Sequence, residues 1–207
     1  MRRSKGFTLI ELLAVIVILG VIMLIAIPSV TGYITSSRKN SFASTGANII
    51  DAVRKYAITA NGLPNYTGDK VVYRVVDENG KIAVKLDSGG TKSAFGAAWI
   101  AGYNYVVIEA TDNNNYNYYY AGYDASGNFI PLTLEDDLKG GVVQNVSELS
   151  DTETIDSKIK KLPTDDSDDS VWADDVDFVD NYNIAISGTA DNVRLYRLYP
   201  NNGDVLL

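Results

Sequence analysis

Neither cysteine nor histidine occurs anywhere in this chain of 207 residues. Their absence excludes a disulfide framework, thiol nucleophiles, imidazole acid–base catalysis and Cys/His zinc sites. Glycine-rich phosphate loops, a G-x-S-x-G elbow and kinase signatures are missing too. No catalytic constellation remains, and the chain reads as a non-enzyme without a resident cofactor. Basic residues are also scarce: 18 Lys and Arg stand against 26 Asp and Glu, a net charge of −8. Such a balance disfavours nucleic-acid contact by a folded domain.

What the chain does have is concentrated at its N-terminus. From Phe7 to Ile27 run 21 residues that are apolar except for Thr8, Glu11 and Gly20. As a helix this run is about 30 Å long at ~1.5 Å per residue, which matches a bilayer core. A carboxylate at the centre of hydrocarbon costs about 2.5–3.5 kcal/mol on insertion scales, so Glu11 needs a partner or a function. Arg2, Arg3 and Lys5 precede the run and predict that its N-terminal side stays in the cytoplasm, with everything after Ile27 outside. The run is too long for an ordinary secretory signal, and no Ala-x-Ala cleavage site follows it.

Gly6-Phe7-Thr8-Leu9-Ile10-Glu11, behind a short basic leader and ahead of a long apolar helix, resembles the processing site of type IV pilins and the related type II secretion pseudopilins. The resemblance implies that a membrane prepilin peptidase cuts between Gly6 and Phe7 and that Phe7 is then N-methylated. Gly20 and Pro28 fall where the family often has a glycine and a proline, bounding a stretch that loosens in filaments. It further implies a homo-oligomeric helical filament, built by an inner-membrane assembly platform and its ATPase. The subunit would begin as a single-pass membrane precursor and end in an extracellular pilus. Loss of the leader would take the net charge to −11, since it carries three of the basic residues. Many Gram-negative members close a C-terminal loop with a disulfide; this chain cannot, which points to a Gram-positive, clostridia-like source. Three functions follow: a pilus subunit serving adhesion, motility or biofilm formation, a pseudopilin of a secretion or DNA-uptake system, or a single-pass membrane-anchored binding module.

Cleavage after Gly6 would place an ammonium on Phe7, about one helical turn before Glu11. Between subunits at an axial offset, the Glu11 of one could meet the Phe7 amine of the next. Pairing relieves the cost of an unpaired buried charge, so such a contact would select register as well as add energy. Phe7 and Glu11, with Gly20 and Pro28 as the resemblance implies, are the candidate assembly residues. Close helix packing would rest on small residues such as Ala14, Gly20 and Ala26.

The rest predicts an α+β fold, with a long N-terminal helix packed on an antiparallel sheet. A leader covers 1–6, a transmembrane or filament-core half 7–28, an amphipathic half 29–61 and a mainly β head 62–207. Val30, Tyr33, Ile34, Ser37, Phe42, Ile49, Ile50, Val53, Tyr56, Ala57 and Ala60 recur at mostly helical spacings, and Asn61-Gly62 before Pro64 stops the helix. Pro28 predicts an interruption or kink. Three hairpins are expected: 71–76 with 81–86, 103–110 with 116–123, and 182–187 with 193–199. Helical turns are expected at 134–138, capped by Thr133, and at 152–162.

Two features of the head stand out. Seven of the fourteen tyrosines lie between Tyr103 and Tyr123, and at least one of Tyr118, Tyr119 and Tyr120 should be exposed or in a subunit contact, since strand neighbours alternate faces. Asp165, Asp166, Asp168, Asp169, Asp174, Asp175, Asp177 and Asp180 crowd sixteen residues. Such a loop could offer calcium its six to eight oxygens, with Asp165, Asp166, Asp168 and Asp169 as the ligands, or be a solvated acidic loop. The spacing does not fit an EF-hand.

Overall fold

A computed structural model describes residues 6–59, 62–76, 80–82, 84, 86, 90–112 and 115–162, together with the backbone of 182–190 and 193–200. The chain divides into two compact units, Met1–Arg38 and Lys39–Leu207.

The long helix is α1, Leu9–Thr59, against an expected span of Phe7 to about Ala60. It passes Pro28 without the expected interruption. Proline removes one helix donor, but nearby hydroxyls turn back onto the carbonyls around the gap. Ser29 Oγ donates to Ile25 O (3.3 Å), and Thr31 Oγ1 reaches Ile27 O (3.2 Å) and Pro28 O (2.9 Å). At the other end, Gly62 N–H donates to Ala57 O (2.9 Å), a long-reach bond of the kind that closes helix C-termini.

In the second unit, α1 buries Phe42, Ala43, Gly46, Ile49, Ile50, Val53 and Ala57. Ala43 and Gly46 extend the expected stripe. Val30, Tyr33, Ile34 and Ser37 do not join it; they belong to the first unit and are exposed.

Among the described residues the sheet has seven antiparallel strands: β1 Lys70–Arg74, β2 Tyr105–Ala110, β3 Tyr116–Tyr123, β4 Asn128–Leu134, β5 Gln144–Asn145, β6 Tyr182–Ala190 and β7 Val193–Pro200. Their order is β5-β4-β3-β2-β1-β7-β6. One face carries Val71, Tyr73, Val106, Ile108, Tyr118, Tyr120 and Ile130, packed with the buried residues of α1. The other carries Val72, Tyr105, Val107, Ala121 and Phe129, covered by Ile159 and Leu162.

The second and third hairpins form as β2–β3 and β6–β7. The first does not. Among the described residues its return arm makes a single bridge, Val76 to Ile82, and β1 has both edges taken, by β2 and by β7. Strand β4 was not expected, since Pro131 argues against a strand interior. It is tolerated because β5 pairs only with Asn128 and Phe129, leaving Pro131 off that ladder. The turn expected at 134–138 is a 3-10 segment, Glu135–Asp137, and Thr133 does not cap it; its hydroxyl donates to Pro131 O (2.6 Å) instead. The helix expected at 152–162 shrinks to α2, Ile155–Lys158, after which the chain runs out to bury Ile159 and Leu162.

Candidate functional site

The assembly residues begin at the helix start. Thr8 is the N-cap of α1: its carbonyl takes the first helical bond, from Leu12 N–H (3.2 Å). Glu11 reaches back to it. Glu11 Oε2 accepts from both Thr8 N–H and Thr8 Oγ1, each at 2.8 Å, while Thr8 Oγ1 accepts from Glu11 N–H at 3.3 Å. This is a capping box, two orphan donors satisfied reciprocally. The expectation for Glu11 concerned a Phe7 amine, of the same subunit or of a neighbour, and the intrachain partner Thr8 was missed. Its signal was in the sequence, since Thr followed three residues later by Glu ahead of an apolar run is the box signature.

Both Thr8 bonds end on the same carboxylate oxygen, and Oε1 takes no hydrogen bond among the described residues. The carboxylate therefore holds the helix start and keeps an acceptor for an outside donor. Cutting the Gly6–Phe7 bond would leave the box intact, because the box uses the amide between Phe7 and Thr8. Phe7 itself precedes the helix and is exposed.

Every residue from Gly6 to Arg38 is exposed, and α1 is long and apolar enough to cross a membrane. Apart from adjoining residues and the backbone of the helix itself, no atom stands within 4 Å of a Cβ placed at Gly20 or Gly32. The unit thus presents an apolar helix surface with no covering from its own chain among the described residues. Gly20 and Pro28 both lie within the continuous helix.

The rings of the tyrosine-rich hairpin are buried or half-buried. None of Tyr103, Tyr105, Tyr116, Tyr118, Tyr119, Tyr120 and Tyr123 is exposed. Tyr118 and Tyr120 pack towards α1, and the Arg54 guanidinium lies 4.3 Å from the Tyr118 ring centre. Tyr119 is half-buried on the opposite face and donates to Glu109 Oε2 (2.8 Å). Tyr103 donates to Asp156 Oδ1 (2.6 Å), and burial, ahead of that carboxylate, pushes its hydroxyl above the ordinary value. Asn104, fully buried, donates to Ile100 O and Tyr123 O while accepting from Tyr120 Oη and Tyr123 N–H. These bonds tie the loop before β2 to β3.

Asp165, Asp166, Asp168 and Asp169 lie outside the described residues. Among the described residues no group of three or more Asp or Glu could hold a metal ion.

Comparison with known proteins bears on the helix start. Residues 1–27 match the family model for the prokaryotic N-terminal methylation motif. The type IV narrow pilus major component PilA5 of Thermus thermophilus is 37% identical over 62 residues, which make up 30% of this chain and 53% of that protein. The match thus spans about half the length of that curated relative. No solved structure matches significantly. Together with a long helix on an antiparallel sheet, these matches support a type IV pilin.

Proposed function

We propose that this chain is a structural subunit of a type IV pilus, which polymerises through α1 into a surface filament for adhesion, motility or biofilm formation. The observation that carries the reading is the pairing of an exposed apolar helix with one carboxylate, Glu11, whose Oε1 takes no hydrogen bond among the described residues. A prepilin peptidase would cut between Gly6 and Phe7 and expose an ammonium on Phe7. That ammonium, on a neighbouring subunit, is the donor the open oxygen fits. Donor and acceptor sit at different heights on the helix, so the contact joins two different surfaces. Such a heterologous contact that does not close into a ring propagates as an open helix.

On this reading the subunit waits in the cytoplasmic membrane with its N-terminus inside. An inner-membrane platform and its ATPase lift it into the growing filament, and the acidic head faces outward. The subunit's own chemistry is adhesive and mechanical, with no reaction catalysed.

Electron microscopy of sheared surface filaments, with mass spectrometry of their main component, tests this directly. Filaments composed of this chain and starting at Phe7 are expected. A short filament confined to the envelope would instead favour a pseudopilin of a secretion or DNA-uptake system. An unassembled membrane protein that retains residues 1–6 would favour a plain anchored module.

A further inference from the structure

From the turn that leads α1 into β1 we infer that Asn65 is an acceptor for an N-linked glycan, added to the head once it lies outside the membrane. This rests on the reading of an exported head given above. The triplet Asn-x-Ser/Thr with x other than proline, the acceptor signature for N-linked sugar, occurs twice in the chain, as Asn65-Tyr66-Thr67 and as Asn145-Val146-Ser147. The structure separates the two. Asn65, Tyr66 and Thr67 are all exposed, Tyr66 to 62%, and neither the Asn65 side-chain amide nor the Thr67 hydroxyl is held by a hydrogen bond among the described residues. Asn145 is the opposite case. It is half-buried in β5; its Nδ2 donates to Ser126 O (3.2 Å) and Asn128 Oδ1 (3.0 Å), and its Oδ1 accepts from Ser147 N–H (3.0 Å) and Ser147 Oγ (2.7 Å). The second triplet is thus engaged with itself and with the fold.

The first triplet sits on a defined turn. Asp69 N–H donates to Tyr66 O (2.9 Å), and Gly68 supplies the positive φ, 89°, that a type II turn requires at its third position. Asp69, only 5% exposed, also accepts from Tyr66 N–H (3.2 Å). Gly68 N–H donates to Ala110 O (2.8 Å) and Ala110 N–H to Asp69 O (2.9 Å), so the base of the turn is pinned to the end of β2 while residues 65–67 stay in solvent. A glycan is bulky and solvated, and this is the kind of place it occupies without disturbing a core. In the transfer, Asn65 Nδ2 attacks the anomeric carbon of the first sugar of a lipid-pyrophosphate-linked oligosaccharide, the donor class proposed here. A C–N bond forms, the bond from that carbon to the pyrophosphate oxygen breaks, the lipid pyrophosphate leaves, and the amide proton passes to a basic group of the transferase. The Thr67 hydroxyl, two residues on, is the group the transferase reads.

The full chain purified from its own cells yields the tryptic peptide 56–70, which carries the Asn65 triplet and not the Asn145 one. A sugar mass on this peptide is expected, placed on Asn65 by electron-transfer fragmentation. It should be lost from Asn65→Gln and from Thr67→Val, which leaves the asparagine in place, and kept in Thr67→Ser and in Asn145→Gln. An unmodified 56–70 peptide from exported protein would overturn the proposal, as would sugar on Thr67 that survives Asn65→Gln, or sugar on Asn145. A head found on the cytoplasmic side of the membrane would instead overturn the reading of export beneath it.

Discussion

Gly46 of α1 lies so close to the Tyr120 ring of β3 that a Cβ added at Gly46 would stand 2.6 Å from Tyr120 Cδ1. The ring is fully buried, and its hydroxyl donates to Asn104 Oδ1 at 3.3 Å, so it has no free direction in which to retreat. In an open helix position, Gly→Ala would stabilise by about 1 kcal/mol. Here overpacking should cost about 1–3 kcal/mol and outweigh that gain. Thermal unfolding of a soluble fragment starting at Ser29 should show a lower Tm for Gly46→Ala; a higher one would mean that helix and sheet separate freely.

That contact also marks where the sequence was legible. The apolar periodicity named Phe42, Ile49, Ile50, Val53 and Ala57 because bulk repeats at helical spacing. Gly46 carries no such signal, whereas its lack of a side chain is what admits Tyr120. Hairpins with strong turn chemistry and an open partner, such as β2–β3, could be read directly. The arm at 81–86 failed because β7, more than a hundred residues later, takes the edge of β1, and local pattern carries no information about distant competition. Strand β4 was hidden by Pro131, whose missing donor matters only where a ladder needs it. At the helix start, the oddity of Glu11 was visible, but its bonds to Thr8 went unread.

Glu109 sets a pH dependence. Burial opposes its charge, but the Tyr119 hydroxyl (2.8 Å) and the Lys70 ammonium (3.1 Å) outweigh burial and hold the carboxyl below its ordinary value. A carboxyl depressed in the folded state adds stability above the unfolded Glu value, about 4.3, and loses it as pH falls through the lower folded value. The Tm difference between the parent fragment and Glu109→Gln should therefore be largest near neutrality and shrink in acid. A difference that grows on acidification would contradict this assignment.

Processing should be equally specific. Gly6→Val is expected to leave uncleaved protein in the membrane, while the parent chain yields an N-methylated Phe7 terminus. N-terminal mass spectrometry of assembled protein checks both, and retention of Met1 or Arg2 on surface filaments would remove the basis for a processed subunit.

If α1 organises the filament, the rest of the chain should not assemble by itself. The fragment from Ser29 keeps every buried apolar residue among the described ones, the first of which is Phe42 in the second unit, so it should fold, stay soluble and be monomeric in dilute buffer. Analytical ultracentrifugation reads this directly. Filaments of native diameter formed by the fragment would place assembly in the head.

On the proposed assembly, Glu11 would carry two roles that substitution can separate. Its Oε2 closes the box with Thr8, a task a glutamine amide oxygen can also perform. Its negative charge is what would pair with an ammonium on a neighbouring Phe7, and glutamine cannot supply that. Glu11→Leu removes both roles, and it should also ease insertion by shedding a penalty of up to about 3 kcal/mol. Thr8→Val removes the box and leaves the charge. If the ion pair sets register, Glu11→Gln should lose filaments nearly as fully as Glu11→Leu, with normal membrane insertion and cleavage in both. Thr8→Val, whose loss is a cap worth about 1 kcal/mol, should retain more filaments than either. The measurement is filament number and length per cell at matched precursor level. Abundant filaments from Glu11→Gln together with their loss from Thr8→Val would reverse the assignment, making the helix cap the part of Glu11 on which assembly depends.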